Sequence, residues 1–311
     1  MAITITQLRS FLAVVRAGSV TAAADDLVVT QPSVSAAVTA LGREVGADLT
    51  ERVGRSVQPS AAGAAFAPYA ADVIGLLEEG ARAAREAAGA AERELRIAAV
   101  NTAGEHIVPP LMEAFGARHP EIKMTVDVGN RSRVFARLLS HQADVGIGGR
   151  PPQDGGITGT RFLDNPIVII TAAADPLARR PSVRLEELAG RPWLLREEGS
   201  GTRAMTEEFL ASHELRPRTL TLGSNGAIKQ AARAGLGIAL QSRLAIALEL
   251  ELGLLSTISV AGGLPHRQWY LLSPPRSRSR TAVEAFTAFA RGDEGRHVVA
   301  TAAHRMVAGR D

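Results

Sequence analysis

The sequence predicts an α + α/β chain: an all-helical N-terminal segment, one long helix, and a larger α/β region. Three observations carry that prediction. Residues 5–45 hold apolar side chains at three-to-four spacing in three short runs, each set off by capping residues. Residues 61–88 carry a single apolar stripe over nearly thirty positions. From Arg93 onward, short apolar runs alternate with amphipathic stretches, the rhythm of strand and helix around a parallel sheet.

Ile5, Leu8, Phe11, Leu12 and Val15 define the first helix, and Gly18 ends it. Ser19 caps a short Ala-rich helix over Val20 to Leu27. Val28 and Val29 form a tight connection. Thr30 caps the third helix, with Pro32 in its first turn, where a missing N–H costs nothing. Val34, Ala37, Val38, Leu41 and Val45 share one face of it, and Gln31, Ser33, Ser35, Thr39 and Arg43 the other. The small run Ala22–Ala23–Ala24 suits two helices crossing closely. This is the helix-turn-helix arrangement, whose second helix enters the DNA major groove. Leu49 to Arg52 and Ser56 to Pro59 form two short strands around Val53-Gly54-Arg55. Such a hairpin is a wing, with Arg52 and Arg55 near phosphate or the minor groove.

Ser60 caps the long helix. Phe66, Tyr69, Val73, Leu76 or Leu77, Gly80 and Ala84 form its stripe, and Pro68 should bend it. A helix of ~40 Å with one stripe suits pairing with another helix; packing on its own domain is the other reading. In the C-terminal region, strands are expected at Leu95–Val100, Ile122–Val128, Ala143–Ile147, Ile167–Thr171, Trp193–Leu195, Thr219–Leu222, Gly237–Gln241 and Gln268–Leu272. Helices are expected at Gly104–His119, Ser132–Ser140, Leu185–Leu188, Thr202–His213, Ala227–Ala234, Leu244–Leu250 and Thr281–Ala290. The tail from Arg291 to Asp311 fits either an extra helix packed on the domain or a disordered end.

Composition excludes several functions. There are no cysteines, so disulfides, thiol catalysis and iron–sulfur clusters are out. The seven histidines are scattered without zinc spacing, and no metal or cofactor is expected. No apolar run reaches the length of a membrane span, and the N-terminus lacks the order of a signal peptide, so a cytoplasmic protein without a membrane partner is expected. The net charge is +3, yet residues 1–60 are formally neutral. Arg9, Arg16, Arg43, Arg52 and Arg55 are offset by Asp25, Asp26, Glu44, Asp48 and Glu51. A DNA-reading role therefore rests on pattern, because the usual basic footprint is missing. No Gly-x-Ser-x-Gly elbow occurs, and no G-x-G-x-x-G follows the first strand, which argues against an enzyme. A cytoplasmic small-molecule binding protein without a DNA role would explain residues 93–290 but not residues 1–60.

The stretch Leu8-Arg9-Ser10-Phe11-Leu12-Ala13-Val14-Val15, then Gly18-Ser19-Val20-Thr21-Ala22-Ala23-Ala24, Leu27 and Thr30-Gln31-Pro32-Ser33-Val34-Ser35, resembles the LysR-type transcriptional regulators. Arg52-Val53-Gly54-Arg55 and Ala62-Gly63 continue the resemblance. Thr50 stands where the family usually has Phe, Pro59-Ser60 where it usually has Leu-Thr, and Ala36 where some members carry Arg or Lys. A bidentate guanine contact from position 36 is therefore absent. The resemblance implies DNA contacts from Ser19, Thr21, Thr30, Gln31, Pro32, Ser33, Ser35, Thr39, Arg43, Arg52 and Arg55. It implies a homodimer or homotetramer on promoter DNA, with RNA polymerase as a further partner.

The resemblance also implies an effector domain built as a periplasmic-binding-protein-like pair of α/β lobes. Domains would run 1–59 (winged helix-turn-helix), 60–90 (linker helix), 91–293 (effector domain) and 294–311 (tail). Lobe I would take 91–162 and 267–293, and lobe II 163–266, with crossings near Phe162 and His266. Ligands of open α/β sheets bind beyond the carboxyl ends of strands. That rule nominates Asn101, Thr102, Ala103, Gly129, Asn130, Gly149 and Arg150 in the first lobe. In the second it nominates Glu197, Ser200, Gly201, Thr202, Arg203, Ser224 and Asn225. Glycines and hydroxyls before a helix can present N–H groups to an anion, although a plain capped loop reads the same way. Glu197 to Arg203, Ser224 to Gln230 and Leu236-Gly237-Ile238-Ala239 together resemble the LysR subgroup that includes carbon-fixation operon regulators. The expected effector is a small anion held by Thr102, Ser200, Thr202 and Arg203, with Arg150 opposing.

Overall fold

The computed structural model describes residues 2–54, 56–88, 93–153, 156–274 and 280–308, the side chains of 302–308 excepted. The chain divides into two units. The first contains the N-terminal residues through the long helix, together with the turn Leu139–Gln142. It starts with α1 (Ile5–Ala17), where Thr4 and Gln7 form a reciprocal capping box and Gly18 closes the end at φ 64°. Ser19 caps α2 (Val20–Leu27) and Thr30 caps α3 (Gln31–Val45). The connection between them turns on Val28, a β-branched residue held at φ 55° and almost fully exposed. An antiparallel hairpin follows, β1 (Thr50–Val53) with β2 (Ser56–Pro59), pairing Thr50 with Pro59. Arg55, at its tip, lies outside the described residues.

The helix α4 (Ala61–Ala87) starts from the Ser60 cap and runs as one helix through Pro68. Its first half closes the unit's core of Leu8, Phe11, Leu41, Leu49 and Ala70, with the Phe66 ring 5.9 Å from that of Phe11. Gly63 sits directly on the chain, since a Cβ there would lie 1.9 Å from the Leu49 carbonyl oxygen. A second small core of Ala13, Val14, Ala23, Ala24 and Val34 lets α2 cross closely under α1. Leu49 and Val57 anchor the hairpin despite Thr50, and the Val57 N–H donates to Gly18 O at 2.9 Å.

The second unit holds two α/β lobes. The first lobe contains β3 (Arg93–Val100), α5 (Asn101–His106), α6 (Val108–Arg118), β4 (Ile122–Gly129), α7 (Arg131–Leu139), β5 (Val145–Gly148) and β6 (Thr158–Asn165). The second contains β7 (Ile167–Ala172), β8 (Trp193–Arg196), α8 (Gly201–Ser212), β9 (Thr219–Leu222), α9 (Asn225–Arg233), β10 (Ala239–Ser242), α10 (Ala247–Glu251) and β11 (Leu255–Ile258). The chain then returns through β12 (Arg267–Ser273) to α11 (Thr281–Arg291) and α12 (Asp293–Ala308).

The first sheet has the order β4-β3-β5-β12-β6. The second lobe holds β10-β7-β11 and the pair β8-β9. Parallel pairing, expected throughout, joins β3 with β4 and β5 and β8 with β9, with isolated parallel bridges at Val183–Val260 and Trp193–Ile238, among the described residues. β12 runs antiparallel to both β5 and β6, and β7 antiparallel to both its neighbours. The cause is topological, since the outgoing strand β6 and the returning strand β12 lie side by side in opposite directions. The first core packs Leu95, Ile97, Phe115 and Phe286, with the last two rings edge to face at 5.3 Å. The second lobe packs around Ile169, Trp193, Phe209 and Leu240 on one side and Ile170, Leu194, Ile228 and Ile246 on the other.

Several expected elements change. The helix expected over Gly104–His119 breaks at Ile107 into α5 and α6, because Pro109 and Pro110 cannot continue a helix interior. The helix expected over Leu244–Leu250 is a 3-10 turn, Arg243–Ile246, followed by the short α10. Strands β6 and β11 were not expected at all. β6 keeps to the first sheet as far as Asn165, so the chain leaves that lobe at Pro166, beyond the Phe162 crossing. Of the two readings of the tail, the helical one holds from Asp293 to Ala308, with Val299 buried in the first core.

Candidate functional site

In the first unit, the caps and buried face of α3 decide what is presented outward. Val34 and Leu41 are fully buried, which turns Gln31, Ser35, Thr39 and Arg43 to solvent. Ser33 is exposed too, but its hydroxyl lies 2.8 Å from Thr30 Oγ1 and its N–H donates to the same oxygen. Gln31, Ser35 and Thr39 have no side-chain hydrogen bond among the described residues. Pro32 sits in the exposed first turn, Ser19 caps α2, and Thr21 is exposed on it. Two of the unit's arginines are already neutralised: Arg9 donates to Glu78 at 2.8 Å, and Arg16 pairs with Asp26. Arg43 and Arg52 have no carboxylate partner among the described residues.

In the second unit, a cavity of about 40 Å³ opens where both lobes meet. A water molecule needs roughly 10–15 Å³ on this measure, so the cavity has room for a few. Its first-lobe lining includes Asn101, Thr102, Gly129, Asn130, Arg131 and Gly149. Arg196, Ser200, Gly201, Thr202 and Ser242 face them from the second lobe, and Asn165, Arg267 and Trp269 from the crossing strands. Contacts between the lobes shape it. Asn130 Nδ2 donates to Glu198 O at 3.3 Å, and the Ser132 N–H to Gly199 O at 3.2 Å. Asn225 Nδ2 donates to Thr102 Oγ1 at 3.1 Å, and Ser242 Oγ to Asn165 Oδ1 at 2.6 Å.

Three guanidinium groups reach this cavity, in unequal electrostatic states. Arg196 is buried and held by Glu197 at 2.7 Å and by Asn225. Turned to satisfy both partners, the Asn101 amide donates to Gly129 O and accepts from Arg196 Nη2. Burial acts against the Glu197 carboxylate, but the Arg196 hydrogen bonds and charge, a backbone N–H and Asn130 together hold its pKa below the usual range. Arg131 lies over the Phe135 ring at 4.7 Å and donates to Arg150 O at 3.2 Å. Among the described residues Arg267 reaches only Met205 Sδ, at 3.8 Å. Neither Arg131 nor Arg267 has a carboxylate partner among the described residues. Burial lowers both pKa values, and the charge of Arg131 lowers that of Arg267 further. Both remain cationic at any physiological pH. Two glycines make room for them. A Cβ at Gly149 would lie 2.8 Å from Arg267 Nη2, and one at Gly201 would lie 3.2 Å from Arg131 Cδ. Ser200 caps α8, whose N-terminus adds its positive end to the same space.

Of the residues nominated beyond strand ends, Asn101, Thr102, Gly129, Asn130, Gly149, Ser200, Gly201 and Thr202 line the cavity. Ala103 is fully buried behind it. Glu197 and Asn225 act on it through Arg196, while Ser224 caps α9. The two arginines expected to hold an anion do not line the cavity. Arg203 spends its guanidinium on Glu207 at 2.8 Å, one turn along α8, and Arg150 is exposed on a neighbouring groove. The guanidinium groups that line the cavity are those of Arg131, Arg196 and Arg267. No helix among the described residues is long and apolar enough to cross a membrane, and no cluster of metal-ligating side chains occurs among them.

Comparison with known proteins adds to this geometry. Residues 88–294 match the family model of the LysR substrate binding domain, and residues 5–64 that of the bacterial regulatory helix-turn-helix proteins of the lysR family. The chain is 34% identical over 270 residues to the HTH-type transcriptional activator CmpR of Synechocystis sp., covering 86% of this chain and 88% of the relative. It is 36% identical over 300 residues to a RuBisCO operon transcriptional regulator of Allochromatium vinosum, covering 95% and 98%. Among solved structures, the regulatory domain of Synechocystis CcmR in complex with 2-PG superposes with a TM-score of 0.60 at 28% identity, covering 67% of this chain and 97% of that one. The LysR family regulator CbnR superposes with a TM-score of 0.60 at 20% identity, over 96% of this chain and 99% of that one, a likeness of fold.

Proposed function

This chain belongs to the LysR family of transcription regulators, and from that premise we propose that it reads promoter DNA as a dimer or tetramer and responds to a small anionic metabolite bound between its effector lobes. The observation that carries the anionic reading is the meeting of Arg131 and Arg267 in a cavity with no carboxylate opposite either. Half-buried cations without a partner are costly, and a bound anion removes that cost. The bidentate geometry of guanidinium suits a phosphate or carboxylate, and Ser200, Thr202 and Asn130 supply further polar groups. The domain division proposed is 1–59, 60–90, 91–293 and 294–311, with effector lobes joined through Pro166 and Arg267.

The oligomer reading rests on α4. Tyr69, Val73 and Leu77 stand at i, i+4 and i+8 and are 58%, 49% and 56% exposed. An apolar stripe of this kind is covered by a second copy of the same helix. The pair of recognition helices then meets a pseudo-palindromic site, read by Gln31, Ser35, Thr39 and Arg43 and by DNA shape. The curated relatives direct the choice of target toward operons of carbon fixation, and the protein acts there in the cytoplasm together with RNA polymerase.

Thermal shift tests the effector half. Inorganic phosphate and 2-PG, added separately, should raise the unfolding midpoint, glycerol should not, and Arg267→Ala should abolish the shift. Stabilisation by neutral compounds alone overturns the anionic reading. Gel retardation on the neighbouring intergenic DNA tests the other half. No retardation at low salt counts against promoter binding.

A further inference from the structure

The buried side of α3 fixes which of its residues stand farthest out. Val34, Val38, Leu41 and Val45 follow one another at i, i+4, i+7 and i+11 and pack inward, Val34 and Leu41 fully buried. At about 3.6 residues per turn, Ala36 lies about 200° around the helix from Val34, opposite that face. Pro32 and Arg43 lie within about 40° of the same direction and Thr39 within about 60°. All four are exposed. Ser33, to one side of them, has its hydroxyl 2.8 Å from Thr30 Oγ1. Gln31 and Ser35 lie to the other side, without a side-chain hydrogen bond among the described residues. The most protruding part of α3 therefore ends in carbon at Pro32 and Ala36, and a charge follows only at Arg43, about 10 Å further along the axis.

The chemistry of the base edges limits what such a surface recognises. In the major groove guanine presents N7 and O6, cytosine its amino group, adenine N7 and N6, and thymine O4 and the 5-methyl group. An alanine methyl makes no hydrogen bond. Over guanine, cytosine or adenine it strips water from polar atoms and gives them nothing in exchange. Over thymine it meets carbon. We propose that Ala36 is a specificity-determining residue of the DNA-reading unit, packing on the 5-methyl group of a thymine, so that each half-site carries a T·A pair beneath position 36. The Pro32 ring, one turn earlier and about 6 Å along the axis, adds carbon surface beside that contact. The Gln31 amide and the Ser35 hydroxyl flank it and meet the polar atoms of neighbouring bases, for which adenine N6 and N7 suit an amide. This inference rests on the reading of α3 as the helix that enters the major groove, and adds which base that helix demands at its outermost point.

Deoxyuridine is the probe, because it pairs as thymidine does and lacks only the methyl group. A footprint of the full-length protein on the neighbouring intergenic DNA locates the half-sites. Fluorescence anisotropy then follows duplexes in which each thymine of the half-sites is replaced in turn. At one position in each half-site the replacement should weaken binding about fourfold, the worth of one buried methyl-sized group. Ala36→Gly removes the protein's side of the contact, so in that variant the same replacement should cost less than about twofold; the pair of measurements separates the contact from any effect of uracil on the duplex. Ala36→Arg, which keeps a good helix former at this exposed position, should lose the sensitivity too and should prefer a G·C pair there, through guanine N7 and O6. In the parent, 5-methylcytosine at that position should bind about fourfold better than cytosine. If no thymine is sensitive in a duplex that the parent binds, or if the loss is undiminished in both variants, the inference is overturned while the DNA-reading role stands. If the parent protects no part of the fragment, both fall.

Discussion

Arg267 carries a charge into a space where nothing of opposite sign meets it, and that has a measurable consequence. Arg267→Met removes the cation and keeps much of the volume. Without ligand its unfolding midpoint should be no lower than that of the parent, because a charge without a counter-ion adds no stability. In phosphate the parent should gain several degrees and Arg267→Met none, as thermal shift would register. A ligand-free midpoint several degrees below the parent's would show that Arg267 is structural. The sequence hid this residue for a geometric reason. The strand-end rule looks beyond carboxyl ends, whereas Arg267 is the first residue of β12. Because β12 runs antiparallel to β5, its start lies at the carboxyl edge of β5, beside Gly149. Asn101, Thr102, Asn130 and Ser200 follow parallel strands and were legible by the rule. His106 is a second residue with a testable charge state. Its Nε2 is buried without a hydrogen bond, and burial lowers its pKa from 6.5, with Lys229 adding to the effect and Glu105 opposing it. The unfolded chain therefore binds more protons than the folded one below pH 6.5. Stability is complete above that value and falls as pH drops toward the folded pKa. Urea midpoints at pH 7.5 and 5.5 should differ less in His106→Leu than in the parent; an equal difference would contradict the assignment.

Elements announced by caps and periodicity were legible; those defined by their neighbours were not. Ser19, Thr30 and Ser60 each cap the helix that the sequence assigns to them, because a cap is local chemistry. β6 carries Thr158-Gly159-Thr160-Arg161 with all four residues exposed, so no alternation announces it. It exists because β12 needs a partner at that edge. The break at Ile107 does have a sequence signal, Pro109-Pro110, which outweighs the apolar periodicity across it. The start of α4 gives this scale its test. Helix propensity favours Ala over Gly by about 1 kcal/mol. A Cβ at Gly63 would nonetheless meet the Leu49 carbonyl oxygen at 1.9 Å and the Pro59 ring at 3.3 Å, a backbone group and a closed ring that yield little. Overpacking of that kind costs about 1–3 kcal/mol, so the steric term wins. Gly63→Ala should destabilise the DNA-reading unit by up to about 2 kcal/mol net in chemical denaturation followed by circular dichroism. A variant as stable as the parent would mean that α4 starts differently in solution.

Across the whole molecule the charge is distributed against expectation for a DNA-binding protein. The excess of +3 lies outside residues 1–60, where five arginines face five carboxylates. The structure sharpens that balance, because Arg9 and Arg16 are bound to Glu78 and Asp26, which leaves Arg43 and Arg52 as the open cations of the described segment. Affinity for DNA falls with salt at a slope of about −0.9 per phosphate neutralised. Two copies presenting two or three free arginines each would neutralise about four to six phosphates, for a slope of about −4 to −5. Recognition must then lean on uncharged contacts from Gln31, Ser35 and Thr39 and on the shape of the site, which salt screens little. Fluorescence anisotropy on a promoter fragment across a salt series would measure the slope. A slope of −9 or steeper, corresponding to ten or more phosphate contacts per dimer, would show that cations outside this segment carry the binding. The same balance predicts weak non-specific affinity, since the sequence-independent part of binding is almost entirely electrostatic. Competition with unrelated duplex should therefore displace little of the bound promoter fragment, and efficient displacement would contradict a readout built on neutral side chains.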